Sequence, residues 1–320
     1  MEMHSDILKP MAVLAAWTMF MWLWMYATRI PAMNAAKLDP DSLAKDPTKT
    51  LDDILPAAVQ WKAHNYNHLH EAPTVFYAVA LVLAARQAAK LEAVAAACRP
   101  HGAQVLCVPT DVSVRADCEA LIARTLQQFG RIDTLINNAG ISAHALLQDV
   151  DAAHLGWYEE LMRVNLWGTL WCTHAALPHL KASRGRIVAI SSLAGLVGVP
   201  GRTAYCTSKF AMNGFMEALR TELQADGVSV TVAYPGVVDT DIRRRGFNAL
   251  GQPAGSSGLS EDKAMPVDVC VRKILEGTER RQRDVLMSPT GYVSRWLKLI
   301  APSWVDRMAW AALKKSDQQR

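Results

Sequence analysis

The first 101 residues contain no glycine; all 18 glycines of the 320-residue chain fall from Gly102 onward. Glycine supplies the turns that bring a backbone close to a ligand, so no such turn is available in the first third. No pair among the six cysteines is spaced C-x-x-C. A zinc ribbon and a thioredoxin-type redox motif are thereby excluded, and buried free thiols in a reducing compartment fit best. Runs of like charge are also lacking, and the net charge is only +4, which gives no argument for a nucleic-acid partner. With 51% hydrophobic residues, the chain has enough apolar material for a core and is not a disordered polymer.

The glycine-free part opens on an uncharged apolar run, Met11 to Ala27, closed by Arg29. With Ile7 and Leu8 it approaches the roughly 20 residues needed to cross a bilayer. Trp17, Trp22, Trp24 and Tyr26 are aromatic residues of the type found at membrane interfaces. The basic residue follows the run and no small-residue cleavage site appears, so a signal peptide fits poorly. Further on, His64-Asn65-Tyr66-Asn67-His68-Leu69-His70-Glu71-Ala72-Pro73 opens a second apolar run. His64 and His68 share a helix face but do not complete a metal-ligand set, and no metal is expected.

From residue 79 the pattern changes to alternating strands and helices. Short apolar runs end near Leu83, Val108, Ile136, Ser191 and Tyr234, with helical spacing over 88–98, 114–129, 158–181 and 204–225. This alternation predicts an α/β fold: a Rossmann-like, doubly wound parallel sheet with helices on both faces. Ligands of such sheets sit at the carboxyl ends of the strands. Asp111-Val112, Asn137-Asn138-Ala139-Gly140, Ser191-Ser192 and Pro235-Gly236 all lie there. The run Phe76–Ala85 is short for a membrane crossing and is expected to be a strand.

The chemistry centres on Tyr205-Cys206-Thr207-Ser208-Lys209. Residues four apart share a helix face, which places the Lys209 ammonium near the Tyr205 phenol. A nearby cation lowers a phenol's pKa and makes Tyr205 a usable general acid or base. Ser192, thirteen residues upstream at a strand end, is placed to hydrogen-bond the reacting oxygen.

Together these features resemble the short-chain dehydrogenase/reductase family over residues 79–288. The carriers are Asn137-Asn138-Ala139-Gly140, Asn165 within Arg163-Val164-Asn165, Ser192, the Tyr205/Lys209 pair, and Pro235-Gly236-Val237-Val238-Asp239-Thr240. The resemblance implies hydride transfer between a nicotinamide cofactor and a carbonyl or alcohol substrate. It assigns proton transfer to Tyr205, substrate orientation to Ser192, the nicotinamide ribose to Lys209 and a relay water to Asn165. Asp111 and Val112 would flank the adenine; Asn138, Ala139 and Gly140 would line the cofactor cleft. Pro235, Gly236, Val238 and Thr240 would meet the nicotinamide side. Arg86 resembles the residue that pairs with a 2′-phosphate, which implies NADP(H) over NAD(H). The family also implies pairing of subunits through its two long helices.

Residues 7–83 resemble a bacterial branch of the MAPEG family of membrane proteins, including Arg29-Ile30-Pro31-Ala32 after the first helix. The expected organisation is a MAPEG-like membrane segment (1–78), a truncated dehydrogenase domain (79–288) and an amphipathic tail (289–320). The domain is truncated because its opening strand and glycine-rich, pyrophosphate-binding turn have no counterpart before Gly102. A sheet position is then left unfilled. The leading expectation is a membrane-associated oxidoreductase whose catalytic part faces the cytoplasm, anchored in lipid through the N-terminal helix; the tail either lies on the membrane surface too or forms a helix over the substrate pocket or a subunit contact. A MAPEG-like, glutathione-binding protein with a passenger domain and an inactive gene fusion stand as alternatives.

Overall fold

The computed structural model describes residues 80–256 and 264–317. The apolar run at Met11–Ala27, the histidines at 64 and 68, and most of the MAPEG-like segment lie outside the described residues. Contacts divide the chain into two units, residues 1–79 with Arg99–Gln104, and Ala80–Cys98 with Val105–Arg320. The second unit carries the α/β fold.

Its elements run β1 (Ala80–Ala85), α1 (Ala88–Cys98), β2 (Gln104–Pro109), α2 (Arg115–Phe129), β3 (Thr134–Asn137), α3 (Gly156–Met162), α4 (Gly168–Ser183) and β4 (Arg186–Ile190). There follow α5 (Thr203–Glu222), β5 (Ser229–Tyr234), α6 (Val267–Glu279), β6 (Asp284–Leu286), α7 (Pro289–Ile300) and α8 (Pro302–Asp317). β4 is apolar on both faces after Arg186, and β5 on the face of Val230, Val232 and Tyr234, as strands covered by helices tend to be; Ser229 and Thr231 stand on its other face. Ile187 and Ala189 pack with Val230, Val232 and Tyr234 against Met212, Met216 and Leu219 of α5 and Ala176 and Leu180 of α4. The opposite face holds Val188, Ala233 and Val285 under Cys270 and Ile274 of α6.

The sheet is in two pieces. Among the described residues β3, β4, β5 and β6 form a four-stranded ladder in that order, all neighbours parallel, and β1 pairs only with β2. Among the described residues no strand lies between β1 and β3. The position in question is the one expected from the sequence to be left by the missing opening strand. On one face α2 and α4 span both pieces: Cys118, Leu121 and Cys172 pack with Val82 and Leu106 from the first and Leu135 from the second. On the other face the gap shows. Ile136 sits in register beside fully buried Val188, yet is 45% exposed. Val267, Val271 and Leu275, an i, i+4, i+8 stripe along α6, are exposed too.

Helix spacing over 158–181 predicted one continuous helix. The structure interrupts it with a π-helical turn, Arg163–Trp167, between α3 and α4. Such turns insert an extra residue and re-aim a side chain; here the residue re-aimed inward is Asn165, fully buried. The sequence reading also missed α6 and β6. Tail residues 289–317 form two helices on which Trp296, Leu299, Ile300, Trp304 and Met308 are well exposed.

Candidate active site

Most candidate residues converge at the carboxyl ends of β3, β4 and β5. A cavity of about 220 Å³ there is lined by Asn138, Gly140, Ser192, Tyr205, Lys209, Pro235, Gly236, Val238 and Thr240. A larger, shallower cavity of about 590 Å³ lies against Tyr158, Met162, Trp167 and Trp171; none of the candidate residues lines it.

Helix α5 presents Tyr205, Ser208, Lys209, Met212, Asn213 and Met216 on its buried face. Lower on that face the methionines bind the helix to β4 and β5, and this fixes where Tyr205 and Lys209 stand. Lys209 Nζ donates to the Ile190 carbonyl at the end of β4, at 2.8 Å. It lies 5.8 Å from the centre of the Tyr205 ring. Burial alone pulls the Lys209 ammonium down to about 8.

The phenol of Tyr205 departs from the expected direction. It is pushed above its ordinary value, because burial disfavours the phenolate more than its neighbours favour it. The neighbours that pull the other way are the Ser192 hydroxyl, by a hydrogen bond, and the guanidinium of Arg202. Arg202 stands 5.9 Å from the ring centre. The cations acting on the phenol are therefore Arg202 and, less strongly, Arg243, neither of which the sequence marked out.

Ser192 lies two residues beyond the end of β4, with its backbone extended. Its Oγ accepts from the Ala194 N–H at 3.2 Å and faces the Pro235 carbonyl at 3.5 Å. Asn165 does not line the cavity. Its Oδ1 accepts from the Ile141 N–H at 2.8 Å, and its Nδ2 donates to the Ile141 carbonyl at 3.0 Å and to Ser208 Oγ at 2.9 Å. It thus clamps the chain just after Gly140. A Cβ on Gly140 would stand 3.3 Å from Asn165 Oδ1 and 3.6 Å from Lys209 Nζ, so a side chain here would press on the Asn165 clamp, which would have to yield by a few tenths of an ångström.

Arg86, Asp111, Val112 and Ala139 lie apart from the cavity. The Asp111 carboxyl would be raised by burial, but hydrogen bonds from the Ser113 hydroxyl and N–H, with the charge of Arg86, hold it below its usual range. Arg86 and Asp111 are thus electrostatic neighbours beyond the ends of β1 and β2. Val112 packs on α4, where a Cβ at Gly168 would meet the Val112 carbonyl at 2.8 Å. Ala139 is exposed, and Asn138, which lines the cavity, is exposed at its edge. Among the described residues no group of three His, Cys, Asp or Glu is placed to hold a metal.

A nicotinamide cofactor fits one side of this site. Lys209 has a single carbonyl partner, Ser191 Oγ is buried without a hydrogen-bond partner, and the Pro235–Thr240 stretch borders the same cavity. The pyrophosphate side is not matched by any glycine-rich turn, and Asn138 and Ala139 face solvent.

A family model described as short chain dehydrogenase matches residues 76–250, and a MAPEG family model matches residues 7–98. 11-beta-hydroxysteroid dehydrogenase A of Sesamum indicum is 34% identical over 241 residues, covering 72% of this chain and 68% of that protein. 11-beta-hydroxysteroid dehydrogenase-like 3 of Arabidopsis thaliana is 40% identical over 230 residues, covering 71% of each. Among solved structures, a short chain dehydrogenase/reductase from Burkholderia phymatum in complex with NAD is 25% identical with a TM-score of 0.60, over 70% of this chain and 85% of that one. An alcohol dehydrogenase from the archaeon Thermococcus sibiricus complexed with 5-hydroxy-NADP shares the fold, at 24% identity and a TM-score of 0.54, over 66% and 88%.

The chain belongs to the short-chain dehydrogenase/reductase family and is, by that membership, an oxidoreductase of a nicotinamide-using class. Its MAPEG match extends to residue 98, into β1 and α1 of the sheet.

Proposed function

We propose that the protein is a membrane-associated, NADP(H)-preferring oxidoreductase acting on a carbonyl/alcohol pair, with Tyr205, Ser192, Lys209 and Asn165 as its catalytic group. The observation that carries this reading is the convergence of Ser192, Tyr205 and Lys209 on one cavity, with the ammonium 5.8 Å from the ring centre. A bound nicotinamide ring would supply or take the hydride at the substrate carbon. Ser192 holds the substrate oxygen next to the phenol. Tyr205, kept protonated by burial, donates its proton to that oxygen in reduction, and Arg202 and Ser192 stabilise the phenolate left behind. Reduction is therefore the favoured direction near neutral pH, and oxidation gains as the phenol ionises. Asn165 holds the Ile141 backbone and Ser208 in the arrangement that a relay water would use. The substrate class agrees with the alcohol-to-carbonyl chemistry in the names of the hydroxysteroid dehydrogenase relatives.

Arg86, beside Asp111, supports the 2′-phosphate preference. Asp111, Val112, Asn138, Ala139 and Gly140 take the adenine-to-ribose stretch, and Pro235, Gly236, Val238 and Thr240 take the nicotinamide. The MAPEG match and the exposed tryptophans of α7 and α8 support lipid attachment, with the catalytic unit on the cytoplasmic side where the cofactor is. The test is NADPH oxidation by detergent-solubilised protein against a panel of aldehydes and ketones, with Tyr205→Phe as control. Turnover that persists in the control refutes the assignment. A second reading, glutathione binding by the MAPEG-like segment, rests on the match to residues 7–98. Conjugation of an electrophile by glutathione, retained in Tyr205→Phe, would favour it.

A further inference from the structure

The cavity has an unusual charge inventory. Three cations line it, Lys209, Arg202 and Arg243, at 3, 9 and 4% exposure. Among the described residues, no aspartate or glutamate does. Lys209 is held by the Ile190 carbonyl, and Arg243 donates to the Val238 carbonyl at 3.3 Å. Arg202 differs. Its side-chain contacts are the ring of Tyr205 and the two ring nitrogens of His144, at 3.2 and 3.1 Å. An imidazole carries no negative charge in any protonation state, and a neutral one has a single lone pair to offer. Burying a guanidinium without an anion is costly, and buried charges in folded proteins are normally paired. The cost is visible here: burial, with the like charge of Arg243, brings Arg202 down to about 10.

A second observation points to the same place. Ser142 also lines the cavity, two residues before His144. Its side chain is 1% exposed, and its Oγ has no hydrogen-bond partner. A buried hydroxyl without a partner is also unfavourable, though less so than a buried cation without an anion. One ligand group satisfies both, a compact oxyanion that accepts from the guanidinium and the hydroxyl together.

Accepting the Tyr205 site proposed above, we infer that its substrate carries a carboxylate or similar compact oxyanion near the reacting carbon, bound by Arg202 and Ser142. Arg202 precedes Tyr205 by three residues and Lys209 follows it by four. The phenol thus stands between the cation assigned to the cofactor and the one assigned to the substrate's anion. Arg202 is then a substrate-binding and specificity residue.

The experiment is a calorimetric titration of the full chain in detergent with benzoate and with its neutral counterpart benzamide, each with and without saturating NADPH. Benzoate should bind roughly tenfold or more tightly than benzamide. Arg202→Gln should reduce that preference to about twofold, Arg202→Lys should keep part of it, and Ser142→Ala should weaken benzoate a few-fold. Circular dichroism checks that each variant is folded, and the lysine variant carries the test if the glutamine variant is not. Equal binding of the two probes to the wild type overturns the inference, as does a preference unchanged in both arginine variants. Competitive displacement of benzoate by NADPH overturns it too, since the oxyanion would then be the cofactor's phosphate. No arm requires turnover, so failure here is separable from failure of the Tyr205 assignment. A preference kept in Tyr205→Phe, alongside turnover that survives that substitution, would leave Arg202 as an anion site and remove the catalytic reading.

Discussion

Replacing Lys209 by methionine should make the protein's stability respond differently to alkali. The Lys209 side chain is 3% exposed, and burial brings its pKa down to about 8 from an ordinary 10.5. Below about pH 8 both the folded and unfolded chains carry the charge, and the folded chain bears the full desolvation cost. A shift of that size corresponds to about 3 kcal/mol. Between about 8 and 10.5 the unfolded chain holds more protons than the folded one, so stability rises with pH and the cost is relieved. From about pH 7 to about pH 10, wild type should gain about 2.5 kcal/mol relative to Lys209→Met. The variant also deprives the Ile190 carbonyl of its 2.8 Å partner, a loss of about 1–3 kcal/mol that does not depend on pH. The two contributions are therefore separable. Urea unfolding of both proteins, followed by tryptophan fluorescence at several pH values, measures the difference between them. Parallel pH profiles would refute the claim that this lysine is a buried, desolvated cation.

Tyr205→Phe should lower kcat/KM about 10²–10⁴-fold, the usual worth of a positioned general acid, with little change in urea midpoint. In wild type, because burial raises the phenol, reductive turnover should hold through neutral pH and fall only on the alkaline side, while oxidation rises there; a reductive optimum on the acid side would contradict this. Ile136→Thr should cost less than about 1 kcal/mol, whereas Val188→Ala, next to it in the ladder, should cost about 2 kcal/mol; equal costs would show that the sheet is closed over β3. Gly168→Ala drives a Cβ to 2.8 Å from the Val112 carbonyl and should destabilise by about 1–3 kcal/mol while weakening NADPH binding, both readable by titration and thermal melting.

The parts of this fold that were legible in sequence are those where one strong periodicity acts alone. β4 and β5 are short, predominantly apolar runs followed by serine and proline, and α5 repeats buried residues at three and four. Their ends located Ser192, Tyr205, Lys209 and Pro235 without ambiguity. Residues whose environment comes from distant chain were not legible. Asn165 was expected on an unbroken helix, and its inward aim depends on a π turn that no local pattern announces. α6 shows two adjacent stripes, Cys270 and Ile274 buried and Val271 and Leu275 exposed, so its apolar pattern is wider than its buried face. Arginine is usually a surface residue, and nothing local marked Arg202 as buried. The one available signal was its position three residues before Tyr205, which puts it on the same helical flank. Lys209 was expected to lower the phenol by its charge. The geometry gives that effect to Arg202 and lets burial outweigh it.

The two halves of the cofactor site rest on different foundations, and this separates rate from affinity. Lys209 is tied to β4, Asn165 to the Ile141 backbone, and α5 to the strands through Met212 and Met216. None of these contacts involves the position between β1 and β3. The catalytic geometry therefore survives without the opening strand. Pyrophosphate binding is expected to weaken, because it draws on backbone N–H groups at a glycine-rich turn and on the helix N-terminus behind it. The loss of two such charge-assisted bonds, at about 1.5–2 kcal/mol each, weakens binding about 10²–10³-fold. Substrate turnover at saturating NADPH should then remain measurable while the cofactor's KM and Kd lie far above the micromolar range. Titration of NADPH into purified protein decides it. Micromolar binding would mean that another segment supplies the missing amides, and the gap beside Ile136 is where such a segment would have to enter.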